Sequence, residues 1–364
     1  MSVIIFLIIL SILVFVHESG HFLFAKWCGI RVDAFAIGFP PTLFKKKKGE
    51  TTYKLNLLPL GGYVSIYGEN YDTLKSTDKD YHRSFVMKKP WQQFIVLIGG
   101  ILFNMIFALL VLIVVGWIGA PSMVDDYNPA LSYNPDVSLS IAQVVADSPA
   151  DMAGLRPGDA IISLATESGL KLEKETLTIE GVSTTIQSAS NPIELTVNQS
   201  GEVSQLTLSP EPGIGTDGAP AIGIGMVYSK FARDNFGQGI ANGWKSLINM
   251  THAVGAGLGQ LISGKANVSD LTGPVGLTTI VGEASQQGFA QLLLLTAFIS
   301  INLALLNLLP FPALDGGRIV FVLIEAITKK RIPAKVGMWV NGIGFMLLML
   351  LMIAVTVKDV IGLF

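Results

Sequence analysis

The sequence predicts a polytopic α-helical membrane protein that carries one polar insert. Half of the 364 residues are apolar, and the mean hydropathy is +0.55. Charged residues make up 14% of the chain, against about 25% in soluble domains. Four apolar stretches are long enough to cross a hydrocarbon core, namely 1–26, 94–119, 289–309 and 336–357. Residues 122–233 have instead the composition of a soluble domain.

The basic residues predict how the four spans are oriented. Residues 26–93 carry twelve of the 25 Lys and Arg and residues 310–335 carry five, whereas the much longer connection 119–288 carries only seven. By the positive-inside rule, the two basic loops, 27–93 and 310–335, lie in the cytoplasm. Both termini and the 122–233 insert are therefore expected on the other side of the membrane.

Charge and cysteine content exclude several classes of protein. The formal net charge is −2, so nothing indicates a nucleic-acid partner. The single cysteine, Cys28, excludes an intramolecular disulfide and a cysteine-rich zinc ribbon, and we expect it to be buried. The first apolar stretch lacks a basic leading region and a small-residue cleavage site, so we interpret it as a retained span and not as a signal peptide.

A cluster of ionisable side chains lies inside the first apolar stretch. His17 and His21 are four residues apart, so on a helix both imidazoles can face one metal ion. Glu18 is rotated by about 100° from His17 and can reach a water at the metal. An ionisable residue at the centre of a membrane helix costs about 2.5–3.5 kcal/mol, so such residues indicate a functional site. The pattern H-E-x-x-H predicts an intramembrane zinc metalloendopeptidase with Zn²⁺ as its cofactor.

A catalytic zinc ion needs one more protein ligand besides the two histidines. We predict Asp315, which follows the third span where prolines and glycines interrupt the helix. The first and third spans both run toward the cytoplasm, so their ends meet at one depth. His82, in the polar loop after the first span, is the alternative third ligand.

Two other functions fit parts of this pattern. A non-catalytic membrane scaffold would use the insert to hold partners and would need neither zinc nor Glu18. A metal-ion transporter would use the two histidines and Asp315 as a transit site, but its polar residues would continue through the membrane. Here they gather at one depth near the cytoplasmic face, which favours the peptidase.

A β-hairpin is predicted at about residues 51–67, on the cytoplasmic side of the membrane, with its turn at Leu60–Gly62. One exposed edge of it can pair with an extended substrate, or the hairpin is a structural element at the bilayer surface. In the second span, Gly99 and Gly100 permit close helix packing. Asn104 is polar at membrane depth and bonds either a substrate backbone or a neighbouring helix.

The insert is predicted to be an α+β domain. Its strand-like pieces are 140–145, 160–164, 193–197 and 204–208. Between the first two, residues 147–159 resemble the signature of bacterial PDZ domains, in which a short helix and a Gly-Asp turn lead into the next strand. Residues 236–288 are predicted to be an amphipathic helix on the outer membrane surface followed by a linker, and 310–335 a cytoplasmic loop.

Two long motifs resemble those of the site-2 protease family. Residues 17–21 are similar to its H-E-x-G-H motif, and residues 307–317 to its N-x-x-P-x-P-x-L-D-G-G motif. Residues 60–64, 99–104 and 272–276 also look like the bacterial regulator-of-sigma-E protease branch. The best-known members have two PDZ domains in tandem, whereas this sequence has one PDZ-like stretch.

The resemblance implies a site-2 protease core in the bacterial inner membrane. It implies zinc ligation by His17, His21 and Asp315 and catalysis by Glu18, close to the cytoplasmic face. The substrate-binding residues that it implies are Gly61, Gly62, Tyr63, Asn104 and Asn307. The partners would be the lipid bilayer and single-span membrane proteins already shortened on the outer side, such as anti-sigma factors or remnant signal peptides.

Overall fold

The computed structural model describes the chain except for residues 70–76, 125–126, 128, 130–133, 146, 190, 200, 216–217, 266–271 and 362–364. The chain divides into two compact units, and each has its own hydrophobic core. The first unit joins Met1–Val115 to Gly237–Phe364, and the second is Gly116–Phe236. The second unit is therefore an insertion into the sequence of the first.

Helices dominate the first unit and strands the second. The helices are α1 (Ser2–Trp27), α2 (Pro90–Ile118), α3 (Pro149–Met152), α4 (Ile179–Ser188), α5 (Phe236–Ile262), α6 (Pro274–Gln287), α7 (Phe289–Leu308), α8 (Asp315–Thr328) and α9 (Ala334–Ile361). The strands are β1 (Val32–Lys48), β2 (Thr51–Ile66), β3 (Ala120–Met123), β4 (Val137–Val144), β5 (Ala160–Thr166), β6 (Lys171–Glu173), β7 (Ile193–Gln199), β8 (Glu202–Leu208) and β9 (Ile224–Ala232).

Four helices in the described part of the chain are long and apolar enough to span a membrane: α1, α2, α7 and α9. They coincide with the four predicted spans. Two further helices correct the sequence analysis, because α6 lies in the assigned linker and α8 in the assigned loop. Proline and glycine at their starts weakened the helix signal. A distant contact supports α6, since Asp359 of α9 accepts a hydrogen bond from the Gly276 N–H (2.8 Å).

The hairpin predicted at 51–67 is only half of the one observed. Strand β2 covers that stretch, but its partner is β1, which the sequence analysis did not assign as a strand. Pro40, Pro41 and the four lysines that end β1 concealed it, because proline and consecutive charges are unfavourable in a paired strand. The turn of the hairpin is Gly49–Glu50, and Leu60–Gly62 lies within β2.

Both strands bend, so β1 and β2 form a sheet of four segments. Val32–Ile37 lies in the interior and pairs with Gly62–Ile66 on one side and with the start of β2 on the other. Thr42–Lys48 pairs with the start of β2 on the side that faces away from Val32–Ile37. We call Gly62–Ile66 the inner edge of the sheet and Thr42–Lys48 its outer edge.

The sheet lies along α1. Near the end of α1, Lys26 and Arg83 form ion pairs with Glu50 in the hairpin turn, at 2.5 and 2.8 Å. Hydrogen bonds from Arg83 and Lys26 lower the pKa of Glu50 to about 2. Nearer the start of α1, the Ser11 hydroxyl donates to the carbonyl of Pro59 at 2.9 Å. The stretch from Ser11 to Lys26 covers about 22 Å of helix, so the sheet follows most of the apolar length of α1.

The second unit is an antiparallel sheet with the strand order β3-β9-β4-β5-β7-β8 in its described part, and β6 pairs with β5. Its core includes Ile141, Leu164 and Leu195 from the sheet together with Val182 and Ile186 from α4. The four strand-like pieces of the sequence are confirmed as β4, β5, β7 and β8. The stretch that resembles a PDZ domain forms α3 and the turn before β5.

Candidate metal centre

Glycines bring α1 and α2 into close contact beside the two histidines. A Cβ at Gly99 would lie 2.9 Å from the carbonyl oxygen of Gly20, and one at Gly100 would lie 2.7 Å from His17 Cε1 and 2.5 Å from His21 Nε2. No side chain fits at these distances. The close helix packing predicted for Gly99 and Gly100 is therefore confirmed, and it holds both imidazoles against the backbone of α2.

Each histidine has a polar partner on α2 for the ring nitrogen that points away from the centre. His21 Nδ1 lies 2.8 Å from the carbonyl oxygen of Val96. His17 Nδ1 lies 3.3 Å from the side-chain amide of Asn104, which is fully buried. The two Nε2 atoms meet at 3.2 Å. Such partners fix the tautomer and the ring orientation of metal-ligating histidines.

The contact with His17 indicates which amide atom of Asn104 should face the imidazole ring. Its Oδ1 is buried and has no hydrogen-bond partner among the described residues, while its Nδ2 faces His17 Nδ1. A histidine that binds a metal through Nε2 carries its proton on Nδ1 and needs an acceptor there. Exchanging the two amide atoms, which are assigned from the hydrogen-bond network, supplies that acceptor. In that orientation Asn104 is placed to accept a hydrogen bond from His17 Nδ1.

A tight turn after α7 carries Asp315 to the histidines. Helix α8 begins at Asp315, and the carbonyl oxygens of Leu308 and Leu309 approach Gly316 so closely that a Cβ would not fit. Ala313 has a left-handed backbone with φ of 72°. Its N–H donates to the side-chain oxygen of Asn341 on α9, at 3.3 Å. The glycine that follows the aspartate is therefore required by the turn.

Three candidate ligand atoms form a nearly equilateral triangle, which we call the ligand triangle. Asp315 Oδ2 lies 3.1 Å from His17 Nε2 and 3.2 Å from His21 Nε2, and the Nε2 atoms are 3.2 Å apart. Ligands at about 2.0–2.1 Å from a tetrahedral zinc ion lie roughly 3.3–3.4 Å from one another. Within the part of the chain that is described, these three residues form a group able to hold a metal ion. The donor set and its spacing fit zinc.

The carboxylate of Asp315 is ionised in this arrangement. Burial by itself raises the pKa of Asp315. The imidazoles of His17 and His21, which face the carboxylate at 3.1 and 3.2 Å, outweigh burial and hold that pKa well below its usual range. The centre therefore combines one negative charge with two imidazoles, which suits a divalent cation.

Glu18 lies beside the ligand triangle without joining it. Its carboxylate accepts a hydrogen bond from the backbone N–H of Val64, on the inner edge of the sheet. A Cβ at Gly62 would lie 2.7 Å from the carbonyl oxygen of Ala36 and 3.7 Å from Glu18 Cγ. The glycine is therefore needed for the close approach of the neighbouring strand at Ala36, and Glu18 lies at ordinary contact distance from this position.

Known proteins are similar in sequence to this chain over nearly its whole length. The model of peptidase family M50 matches residues 5–351, which include the ligand triangle and Glu18. The chain belongs to peptidase family M50. The M50 chain is 36% identical to a Clostridium perfringens protein that is named as a candidate zinc metalloprotease, over 99% of both chains.

Two relatives of this M50 chain carry the name RasP. The zinc metalloprotease RasP of Geobacillus kaustophilus is 30% identical over 99% of this chain and 97% of its own. The regulator of sigma-W protease RasP of Bacillus subtilis is 29% identical over 100% of this chain and 99% of its own. The M50 chain is therefore a membrane zinc metalloprotease of the site-2 protease family. This assignment removes the scaffold and the transporter as explanations.

The other predicted site residues lie at several places in the M50 chain. Gly62 and Tyr63 belong to the inner edge, and Gly61 precedes it. Asn307 is half-buried in the last turn of α7. His82, the alternative ligand, is exposed in a 3-10 turn and outside the ligand group.

Three contributors to the centre were missed in the sequence analysis. The N–H of Val64 and the carbonyl of Val96 are main-chain groups, so no residue type could have indicated them. Asn341 carried a usable signal, because it is a polar residue in the apolar stretch 336–357. The same signal pointed to Asn104.

Replacing Gly100 with alanine is expected to weaken zinc binding by about tenfold or more, an effect in the range of second-sphere substitutions. The added methyl group would overlap both imidazoles. The measurement is zinc affinity by competition with a chromogenic chelator. Gly342→Ala on α9 is the matched control, because no atom lies within 4 Å of a Cβ there. Equal zinc affinity in both variants would show that the histidines do not depend on Gly100.

Proposed function

We propose that this chain hydrolyses a peptide bond within or near the transmembrane segment of single-span membrane proteins. His17, His21 and Asp315 hold the zinc ion, and Glu18 is the catalytic acid and base. The observation that carries the proposal is the triangle of ligand atoms at 3.1–3.2 Å, with Glu18 held beside it by the inner edge.

The roles of these residues follow from their contacts. Zinc, when bound, supplies a Lewis acid that acidifies a water and polarises the scissile carbonyl. Glu18 takes a proton from the attacking water and delivers it to the leaving amine. The Val64 N–H keeps the carboxylate beside the centre. Val96 and Asn104 hold the imidazoles in one tautomer, so Asn104 is proposed to orient His17 and not to bind substrate.

The inner edge is proposed to bind the substrate as an added β-strand. A transmembrane helix hides its backbone groups in internal hydrogen bonds, and a locally unwound segment needs new partners for them. Strand addition supplies such partners. The backbone groups of Gly62 point to the same side as the Val64 N–H, because strand backbone groups alternate with a period of two. Gly61, Gly62 and Tyr63 are therefore proposed as the substrate-binding segment, with Asn307 as a further backbone partner.

Disulfide crosslinking tests where the substrate lies. In a Cys28→Ser, Glu18→Gln background, a cysteine replacing Tyr63 is expected to crosslink to a cysteine placed near the scissile bond of the substrate. A cysteine replacing Lys46, on the outer edge, is the control and should not crosslink. If the cysteine at position 46 formed the crosslink and the cysteine at position 63 did not, the substrate would lie along the outer edge of the sheet.

The membrane orientation and the substrate class are also proposals. The basic loops support an active site near the cytoplasmic face of the bacterial inner membrane, with the insert outside the cytoplasm. One relative is named a regulator of sigma-W protease. That name supports substrates of the anti-sigma-factor type, and remnant signal peptides fit the same single-span chemistry.

The insert is proposed to be a PDZ-like domain that excludes substrates with large outer domains. Residues 147–159 support this, since α3 and the turn at Gly158, with φ of 98°, lead into β5. Deleting residues 122–233 is expected to let the chain cut a full-length substrate that the intact chain spares. A full-length substrate that stays uncut by the shortened chain, while a trimmed one is cut, would remove the filter from the proposal.

The cleavage itself is tested with the purified chain in detergent and a tagged single-span substrate. Mass spectrometry of the products is expected to place the cut inside or next to the apolar segment. A zinc chelator should abolish it, and added zinc should restore it. A cut only in the extramembrane part of the substrate would contradict the proposed site of hydrolysis.

A further inference from the structure

An apolar groove of about 540 Å³ lies between α1 and the sheet. Phe15, Ser19 and Phe22 form its α1 side. Ser19 is rotated by about 200° from His17 around the helix, so the groove lies on the other side of α1 from the metal centre. Its sheet side includes Phe44 and Tyr53. The groove is separate from the proposed substrate position at the inner edge.

The groove lies at the depth of the hydrocarbon. The residues of α1 that line it fall within the first membrane-spanning helix, between Phe15 and Leu23. The sheet beside it contributes Ile37 and Leu55, and the side chains of Leu55 and Phe44 are 48% and 62% exposed. In a bilayer, an apolar groove in this position would open onto lipid and not onto water, because the hydrocarbon core holds no water.

The four lysines of the outer edge alternate between the two faces of the sheet. Phe44 pairs with Leu55, and both line the groove. From Phe44 to Lys48 the pairing runs without a register shift. Side chains two residues apart on a strand share a face. Lys46 and Lys48 therefore lie on the groove face, whereas Lys45 and Lys47 lie on the opposite face, and all four are exposed.

The lysines also stand at the level where lipid head groups begin. The hairpin turn next to Lys48 is held to Lys26, in the last turn of α1, through Glu50. Lys46 is about 7 Å deeper along the strand, a distance that a lysine side chain can span by extending its ammonium group toward the head groups. The groove thus has an apolar floor and a cationic rim.

We propose that this groove binds an anionic phospholipid, with one acyl chain against Phe15, Phe22 and Phe44 and the phosphate held by Lys46 and Lys48. Basic residues beside a membrane helix attract anionic lipids, and each ammonium group adds to the attraction. A zwitterionic lipid carries its own cation and gains less. A lipid held in this way fastens the outer edge to the bilayer and steadies the sheet whose inner edge contacts Glu18.

Native mass spectrometry of the full-length chain tests the assignment. The chain is mixed with equal amounts of phosphatidylglycerol and phosphatidylcholine that have identical acyl chains. Wild type is expected to retain phosphatidylglycerol preferentially. In the K46Q/K48Q variant this preference is expected to be about tenfold weaker. K45Q/K47Q is the matched control, because it removes the same charge from the opposite face. It should keep the preference within about twofold.

A second pair of variants tests the acyl-chain position. Phe44→Ser should weaken retention of both lipids by about fivefold, because it removes an apolar contact with the acyl chain. Leu43→Ser is the control, since Leu43 is 63% exposed but does not line the groove. Thermal unfolding of every variant checks that the fold is intact. If both double-lysine variants lost the preference for phosphatidylglycerol equally, general surface charge and not the groove would attract the lipid, which would overturn the assignment. The absence of any such preference in wild type would also overturn it.

Discussion

Replacing Glu18 with glutamine is expected to lower the rate of substrate cleavage by about 10²–10⁴-fold, the usual contribution of a general acid and base, while zinc remains bound. Glutamine has nearly the same size as glutamate, and its side-chain oxygen can still accept the Val64 N–H. It cannot take a proton from the attacking water. The loss therefore falls on the chemical step and not on the fold.

Two measurements make the Glu18 result specific. Zinc content by mass spectrometry should be equal in wild type and variant, because Glu18 is not in the ligand group. Ser19→Ala is the matched neighbour, since the Ser19 hydroxyl donates within its own helix, to the carbonyl of Phe15 at 2.6 Å. It should cleave at the wild-type rate. Full activity of Glu18→Gln would assign the proton transfer to another group.

Replacing Asp315 with alanine is expected to lower zinc affinity by more than about 100-fold, since altering even the partners of ligands costs 10–100-fold. The substitution removes the one oxygen of the ligand triangle and its negative charge. Asp315→Asn should fall between wild type and alanine, because the amide oxygen can still face the metal but carries no full charge. Cleavage should fall in the same order.

Two side chains outside the candidate ligand group, an aspartate and a histidine, serve as controls for Asp315. Asp359→Asn removes a carboxylate from the same unit, where Asp359 bonds the Gly276 N–H, and should leave zinc affinity unchanged. His82→Ala removes the alternative third ligand and should also leave it unchanged. If Asp315→Ala bound zinc normally and His82→Ala did not, the ligand set would be His17, His21 and His82.

The sequence analysis predicted the four spans and three candidate ligands, and the structure brings those three side chains together. Helix spacing accounts for the convergence of the two histidines. His17 and His21 share a face through local geometry, and the uninterrupted apolar context made them conspicuous. The analysis was wrong where local signals conflict with distant contacts. Strand β1 contains two prolines and four lysines, yet it pairs with β2 because α1 and the turn at Glu50 hold it in place.

The sequence by itself determined the chemistry of this protein: two histidines and a glutamate at helical spacing inside a membrane span, and an aspartate after a broken helix. Those properties belong to residue types and short spacings. Only the tertiary structure decided which main-chain groups orient that chemistry, namely Val96 for His21 and Val64 for Glu18. It also decided which lysines face the groove. Main-chain partners and strand register depend on contacts between distant segments, and these leave no mark on a single residue type.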